Sequence, residues 1–140
     1  ERIHSENGNG TLTAESVWSS RKVLKTKLTS PLIHDGYAYS LSNGFMECVR
    51  LLDGEQMWKR RGRFGHGQVL MAGNFILLHS ESGELSLLEA TPEEYREFGT
   101  LKTIDGVCWN TLCLSGNKLL VRSEIEAACI EIPFTQSPQL

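Results

Sequence analysis

Short apolar stretches separated by glycine-bearing turns recur along this chain, and three of them align. Residues 31–48, 68–87 and 110–123 each read as a strand, a turn containing Gly36, Gly73 or Gly116, and a second strand. Apolar runs of this length, bounded by turn residues, point to β-strands rather than helices. In the first two copies a hairpin turn follows, at Asn43 with Gly44 and at Ser82 with Gly83. Such pairs accept the positive φ angles that a tight hairpin connection requires. The third copy has residues 123–126 in that place. Third strands are predicted over 45–51, 84–90 and 126–132, and fourth strands around 57–61 and 95–101. A short helical turn is predicted at 92–95, where Pro92, Glu93 and Glu94 suit a first turn.

The turn glycines stand 37 residues apart (36 to 73) and then 43 apart (73 to 116). That matches the roughly 40 to 50 residues of a four-stranded propeller blade. A two-sheet sandwich would use similar strands without needing this periodic return. The pattern therefore predicts an all-β chain: about three four-stranded antiparallel blades of a β-propeller, as a partial ring or a fragment. The expected division is a linker or frayed N-terminus over 1–14, blades over 15–134, and a tail over 135–140. Within the blade region, 15–29 reads as the last strand of a preceding blade, carrying Trp18, and 30–64 and 65–103 as whole blades. Residues 104–134 read as a partial blade. Closed propellers have about four to eight blades, so three leave free strand edges that invite pairing. The expected partners are the remaining blades of the same propeller, a protein partner, or further copies of the chain sharing one ring. An N-terminal strand completing the final blade is a related expectation.

Composition narrows the function. A net charge of −3 and a pI near 5.8 provide no basic surface of the kind that a dedicated nucleic-acid binder needs. No apolar run approaches the ~18 residues that span a bilayer, and the first residues lack a signal-peptide core. Cys48, Cys108, Cys113 and Cys129 are too few and too irregular for a disulfide scaffold or paired zinc motif, and read as small core residues.

Counting from Cys48, Gly54 is the seventh residue and Trp58 the eleventh, with Asp53 and Gly54 making a turn. Asp35, Gly36, Tyr37, Ala38 and Tyr39 precede them. These residues resemble the tryptophan-docking motif of the quinoprotein-like, or PQQ-like, propeller repeat. The resemblance extends over 15–132. In the second copy Phe98 stands in for the tryptophan after an extra residue, and the third copy stops before that position. The resemblance implies that Trp58 staples neighbouring blades and that Gly54 marks a close approach of backbone to an indole, in line with the large area a Trp buries. It also implies a periplasmic or extracellular setting. The family includes quinone-dependent alcohol dehydrogenases, whose site uses calcium-ligating acid and amide groups and in many cases a vicinal cysteine pair. This chain has no adjacent cysteines, and three blades cannot enclose such a site. No cofactor is expected, and PQQ with calcium stands only as what the resemblance implies.

Little else in the chain carries chemistry. His4, His34, His66 and His79 form no metal-binding spacing, no nucleophile-elbow sequence occurs, and residues 62–67 lack the Lys-Ser/Thr of a phosphate loop. No catalytic, cofactor-binding or metal-ligating residue is expected. Lys59, Arg60, Arg61 and Arg63 concentrate positive charge directly after Trp58. They read either as a rim patch for an anionic partner or as an edge strand whose charges discourage pairing. With His66 and Trp109 they make up the candidate partner-binding rim, formed by the loops 61–67 and 105–109. The expected function is a non-catalytic scaffold or protein-interaction module, part of a larger protein. The alternatives are a fragment of a quinone-dependent dehydrogenase whose cofactor site lies in other blades, and a purely structural piece.

Overall fold

The computed structural model describes residues 4–5, 12–62 and 64–133. Two short strands, β1 (His4–Ser5) and β2 (Leu12–Thr13), pair within the stretch expected as linker. The rest is three antiparallel sheets in sequence order. The first contains β3 (Leu32–His34), β4 (Tyr37–Ser42), β5 (Phe45–Arg50) and β6 (Gln56–Arg61). The second contains β7 (Gln68–Ala72), β8 (Phe75–His79), β9 (Glu84–Glu89) and β10 (Glu97–Lys102). The third contains β11 (Cys113–Ser115), β12 (Lys118–Arg122) and β13 (Ala127–Glu131), and no fourth strand joins it among the described residues. The fold is all-β, with blades of four, four and three strands.

Turn chemistry and side-chain alternation account for these sheets. Asn43 and Gly44 have φ of 52° and 79°, which lets β4 turn into β5 with two residues. Equivalent rows then run across each blade. Leu32, Tyr39, Cys48 and Trp58 lie side by side in the first, and Leu70, Leu77, Leu87 and Gly99 in the second. In the third, Cys113, Leu120 and Cys129 form the row.

Successive strand residues point to opposite faces, so each sheet offers one face to each neighbour. Tyr39, Leu41, Met46 and Cys48 from the first blade pack against Val69, Ile76, Leu78 and Leu88 from the second. Leu77 and Leu85 from the second blade's other face pack with Ile104, Cys108, Leu112, Leu119 and Val121. The second blade is buried on both faces, which explains why β8 is an unbroken apolar run up to His79. In β12 only Leu119 and Val121 are buried, while Lys118, Leu120 and Arg122 are exposed. Among the described residues nothing covers the far face of the third blade. For that reason Cys113 and Cys129 are exposed, and the expectation of core thiols holds only for Cys48 and Cys108.

Two local expectations differ from the structure. Residues 92–95 form a bend at 92–93 and an irregular stretch after it rather than a helical turn. There Arg96 pairs with Glu89 and Glu94, so these side chains hold the loop in place of a helical first turn. Residues 15–29, expected to include a strand, are irregular, because among the described residues no strand edge runs along them to form a ladder. Their placement is nonetheless blade-like. Asn43 N donates to Lys25 O at 3.2 Å, as Glu81 N donates to Phe64 O and Glu124 N to Val107 O, both at 2.9 Å. Each bond ties an incoming connection to the hairpin turn of the blade it enters.

Candidate functional site

Two tryptophans make the same contact with the blade ahead of them. Trp18 donates its indole N–H to Leu51 O at 2.6 Å, and Trp58 donates to Thr91 O at 2.9 Å, each across 33 residues of chain. A Cβ at Gly54 would stand 2.9 Å from Cε3 of Trp18, so only glycine permits that indole to lie on the turn. Gly54 thus lies beneath Trp18, while Trp58 packs between Tyr39 and Tyr95 at centroid distances of 6.1 and 5.9 Å. Cys48, opposite Trp58 on β5, is fully buried, and burial pushes its thiol up to about 11. Trp18, expected on the last strand of a preceding blade, stands 40 residues before Trp58 and docks in the same way, although no strand forms around it.

Between the second and third blades this contact is missing. Phe98 does not occupy the tryptophan position: it sits on the bulge between Glu97 and Gly99, and Gly99 takes the place opposite Leu87. The loop 90–96 is two residues longer than its counterpart 51–55, while β9 follows β5 by only 39 residues, so the fourth strand shifts by 41 instead of 40. Phe98 is 56% exposed and packs edge-on against Phe75. A Cβ at Gly99 would meet nothing within 4 Å. A groove of about 660 Å³ remains there, lined by Leu85, Leu87, Phe98, Leu101, Ile130 and Ile132 among others.

At the other end of the blades, Glu81 gathers two of the predicted rim residues. Its carboxylate accepts from the backbone N–H of His66 at 3.0 Å and from the indole N–H of Trp109 at 2.6 Å. These donors hold the Glu81 carboxyl below its ordinary range, the His66 bond contributing most. Buried Gln68 donates to Leu28 O at 2.7 Å and to Trp109 O at 2.8 Å, fastening a third segment to the same place. Trp109 stays 53% exposed although both its ends are tied. Neither Glu81 nor Gln68 was singled out from sequence, where an isolated acid or amide has no mark.

The basic residues are arranged differently. Lys59 Nζ lies 3.4 Å from Oε2 of the fully buried Glu47 and over the Phe45 ring, so its charge is answered inside the blade. Glu47 also accepts from Leu24 N. Arg61 lies over Phe45 and Arg60 over Tyr95, both exposed on β6. Arg63 lies outside the described residues. The structure therefore joins His66 to Trp109 but leaves Lys59, Arg60 and Arg61 on a strand edge.

His79 is fully buried. Thr103 Oγ1 donates to Gly83 O, so it accepts from His79 Nε2–H at 2.8 Å, and Nδ1 is left as a lone pair without a partner. Burial, and then Lys102, lower the His79 pKa. Among the described residues no three His, Cys, Asp or Glu side chains converge as a set that could hold a metal ion. No helix of the described residues is long and apolar enough to cross a membrane.

No family model matches the sequence, and no curated protein does. Solved structures do match. BamB from Moraxella catarrhalis superposes with a TM-score of 0.57 at 16% identity, over 73% of this chain and 32% of that one. This chain thus spans about a third of BamB. The computationally designed Ika4 protein matches with a TM-score of 0.55 at 7% identity, over 86% of this chain and all of Ika4. The quinohemoprotein alcohol dehydrogenase ADHIIG from Pseudomonas putida HK5 matches with a TM-score of 0.55 at 13% identity, over 66% of this chain and 16% of that one. Identities this low show the fold alone: the chain is built as β-propeller blades like those of BamB and the quinohemoprotein.

Proposed function

We propose that this chain is a non-catalytic segment of a quinoprotein-like propeller that presents its inter-blade connections to a protein partner. The observation that carries this reading is the fixed, exposed Trp109, held by Glu81 at its indole and by Gln68 at its carbonyl. An aromatic ring ordered before binding loses little entropy on contact, and Trp is among the residues that dominate interface energetics. His66 lies beside it, and Arg60 and Arg61 would add charge at the margin if the partner is acidic. The resemblance to quinoprotein-like repeats favours an extracytoplasmic setting.

Affinity capture with the wild-type chain and with Trp109→Ala, compared at equal folded concentration, tests the reading. Partners retained by the wild type should be lost with Trp109→Ala, and identical captures from both would overturn it. The second reading, a dehydrogenase fragment, rests on the fold likeness to ADHIIG. Dye reduction after incubation with the quinone and Ca²⁺ would favour that reading and sink the scaffold one.

A further inference from the structure

The two ends of the described fold are complementary. Among the described residues the third blade has three strands, and no strand pairs with the edge of β13 where β6 and β10 lie in the other blades. Residues 16–21 have the opposite lack. Trp18 docks on Gly54 and Leu51 as Trp58 docks on the next blade, and Lys25 O accepts from Asn43 N as the other connections do. They are placed as the outer strand of a preceding blade whose other three strands are not among the described residues.

We propose that residues 16–21 of one copy pair with β13 of a second, so that copies share a ring through composite four-stranded blades. The register follows from the rows already formed. Trp58 stands opposite Cys48 and Arg61 opposite Phe45; Gly99 stands opposite Leu87 and Lys102 opposite Glu84. The same spacing sets Trp18 opposite Cys129, Ser20 opposite Ala127, and Arg21 opposite Glu126. Arg21 and Glu126 are both exposed, and their opposite charges repeat the Lys102 and Glu84 pairing of the second blade. Ser19 and Ser20 would meet the small residues Ala128 and Ala127 without a clash. The exposed row of Cys113, Leu120 and Cys129 would gain Trp18 as its fourth member. The added strand would also cover the groove beside Phe98 and Leu101, which are 56% and 54% exposed. Free backbone donors and an adjoining apolar groove are the two requirements of strand addition. This inference is independent of the Trp109 rim.

Chains with a single exposed cysteine test it, each built on Cys113→Ser and Cys129→Ser to remove the native exposed thiols while the buried Cys48 and Cys108 stay in place. Ser20→Cys mixed with Ala127→Cys should give a mixed disulfide on mild oxidation. Its absence, or an intrachain disulfide formed by the double variant at high dilution, overturns the proposal. Charge reversal is the second measurement, read by sedimentation over a concentration series. Arg21→Glu should weaken association about tenfold, and Arg21→Glu with Glu126→Arg should restore it. A folded species of 15.7 kDa at every concentration overturns the proposal, as does a double variant no better than the single one.

Discussion

The indole N–H of Trp58 reaches Thr91 O, 2.9 Å away and 33 residues along the chain, and Trp18 repeats the contact at Leu51 across the same interval. Two elements of stability combine there: buried aromatic area against Tyr39 and Tyr95, and a hydrogen bond that joins consecutive blades. Trp58→Ala should cost about 3 kcal/mol, and Trp58→Phe should cost less because it keeps most of the packing. Urea denaturation checks both, and a loss below about 1 kcal/mol for the alanine variant would show that the indole does not couple the blades.

Gly99 marks the interface without a tryptophan. Its backbone has an ordinary φ, and a side chain there would meet open space. Gly99→Trp should fill the groove toward Ile130 and Ile132 and raise stability by about 1 kcal/mol. Gly99→Ala, which relieves only the glycine entropy, should gain about half that. A thermal melt that falls for the tryptophan variant would show that the groove does not accept an indole.

Glu81 titrates with the rim. Its folded pKa is depressed, so its contribution is fully present above the ordinary value of about 4.3 and is lost as pH falls through the lower folded value. Trp109 fluorescence in the folded protein should therefore change only below about pH 4. Glu81→Gln keeps the shape but removes the charge-assisted bonds, and should abolish that transition and loosen Trp109 at neutral pH.

His79 gives a second, separate pH dependence. Its folded pKa is also depressed, but it is a base, so the unfolded chain takes up the proton first as pH falls. Stability should hold above about pH 6.5 and decline below it, since protonating Nδ1 would bury an N–H with no acceptor. His79→Gln should flatten the slope below about pH 6.5 in denaturation experiments. An unchanged slope would assign the dependence to other groups.

The cysteines divide by position in the rows. Cys113 and Cys129 are exposed on the uncovered blade face, while Cys48 and Cys108 are buried with raised pKa values. Two thiols should react rapidly with a chromogenic disulfide in native buffer and four after denaturation. If the copies share a ring as proposed, Cys129 should also become slower at high protein concentration.

The sequence alone determined the blades. Alternating side chains, the Asn43-Gly44 turn and the recurring turn glycines are local instructions, and each is satisfied by residues close in the chain. It also pointed to Trp58, because a large aromatic ten residues after a small one is visible in one dimension. Tertiary structure decided the rest. That Trp18, already placed by sequence on the edge of a preceding blade, docks over Gly54 was decided by the packing, and Phe98 lost the tryptophan position to Gly99 through a one-residue bulge. Glu81 became central because two loops, separated by some forty residues, arrive at the same end of adjacent sheets. Cys48 and Cys129 hold equivalent positions, yet one is buried and the other exposed. That difference depends on whether another sheet lies against the blade, and packing between sheets is not encoded in the local period.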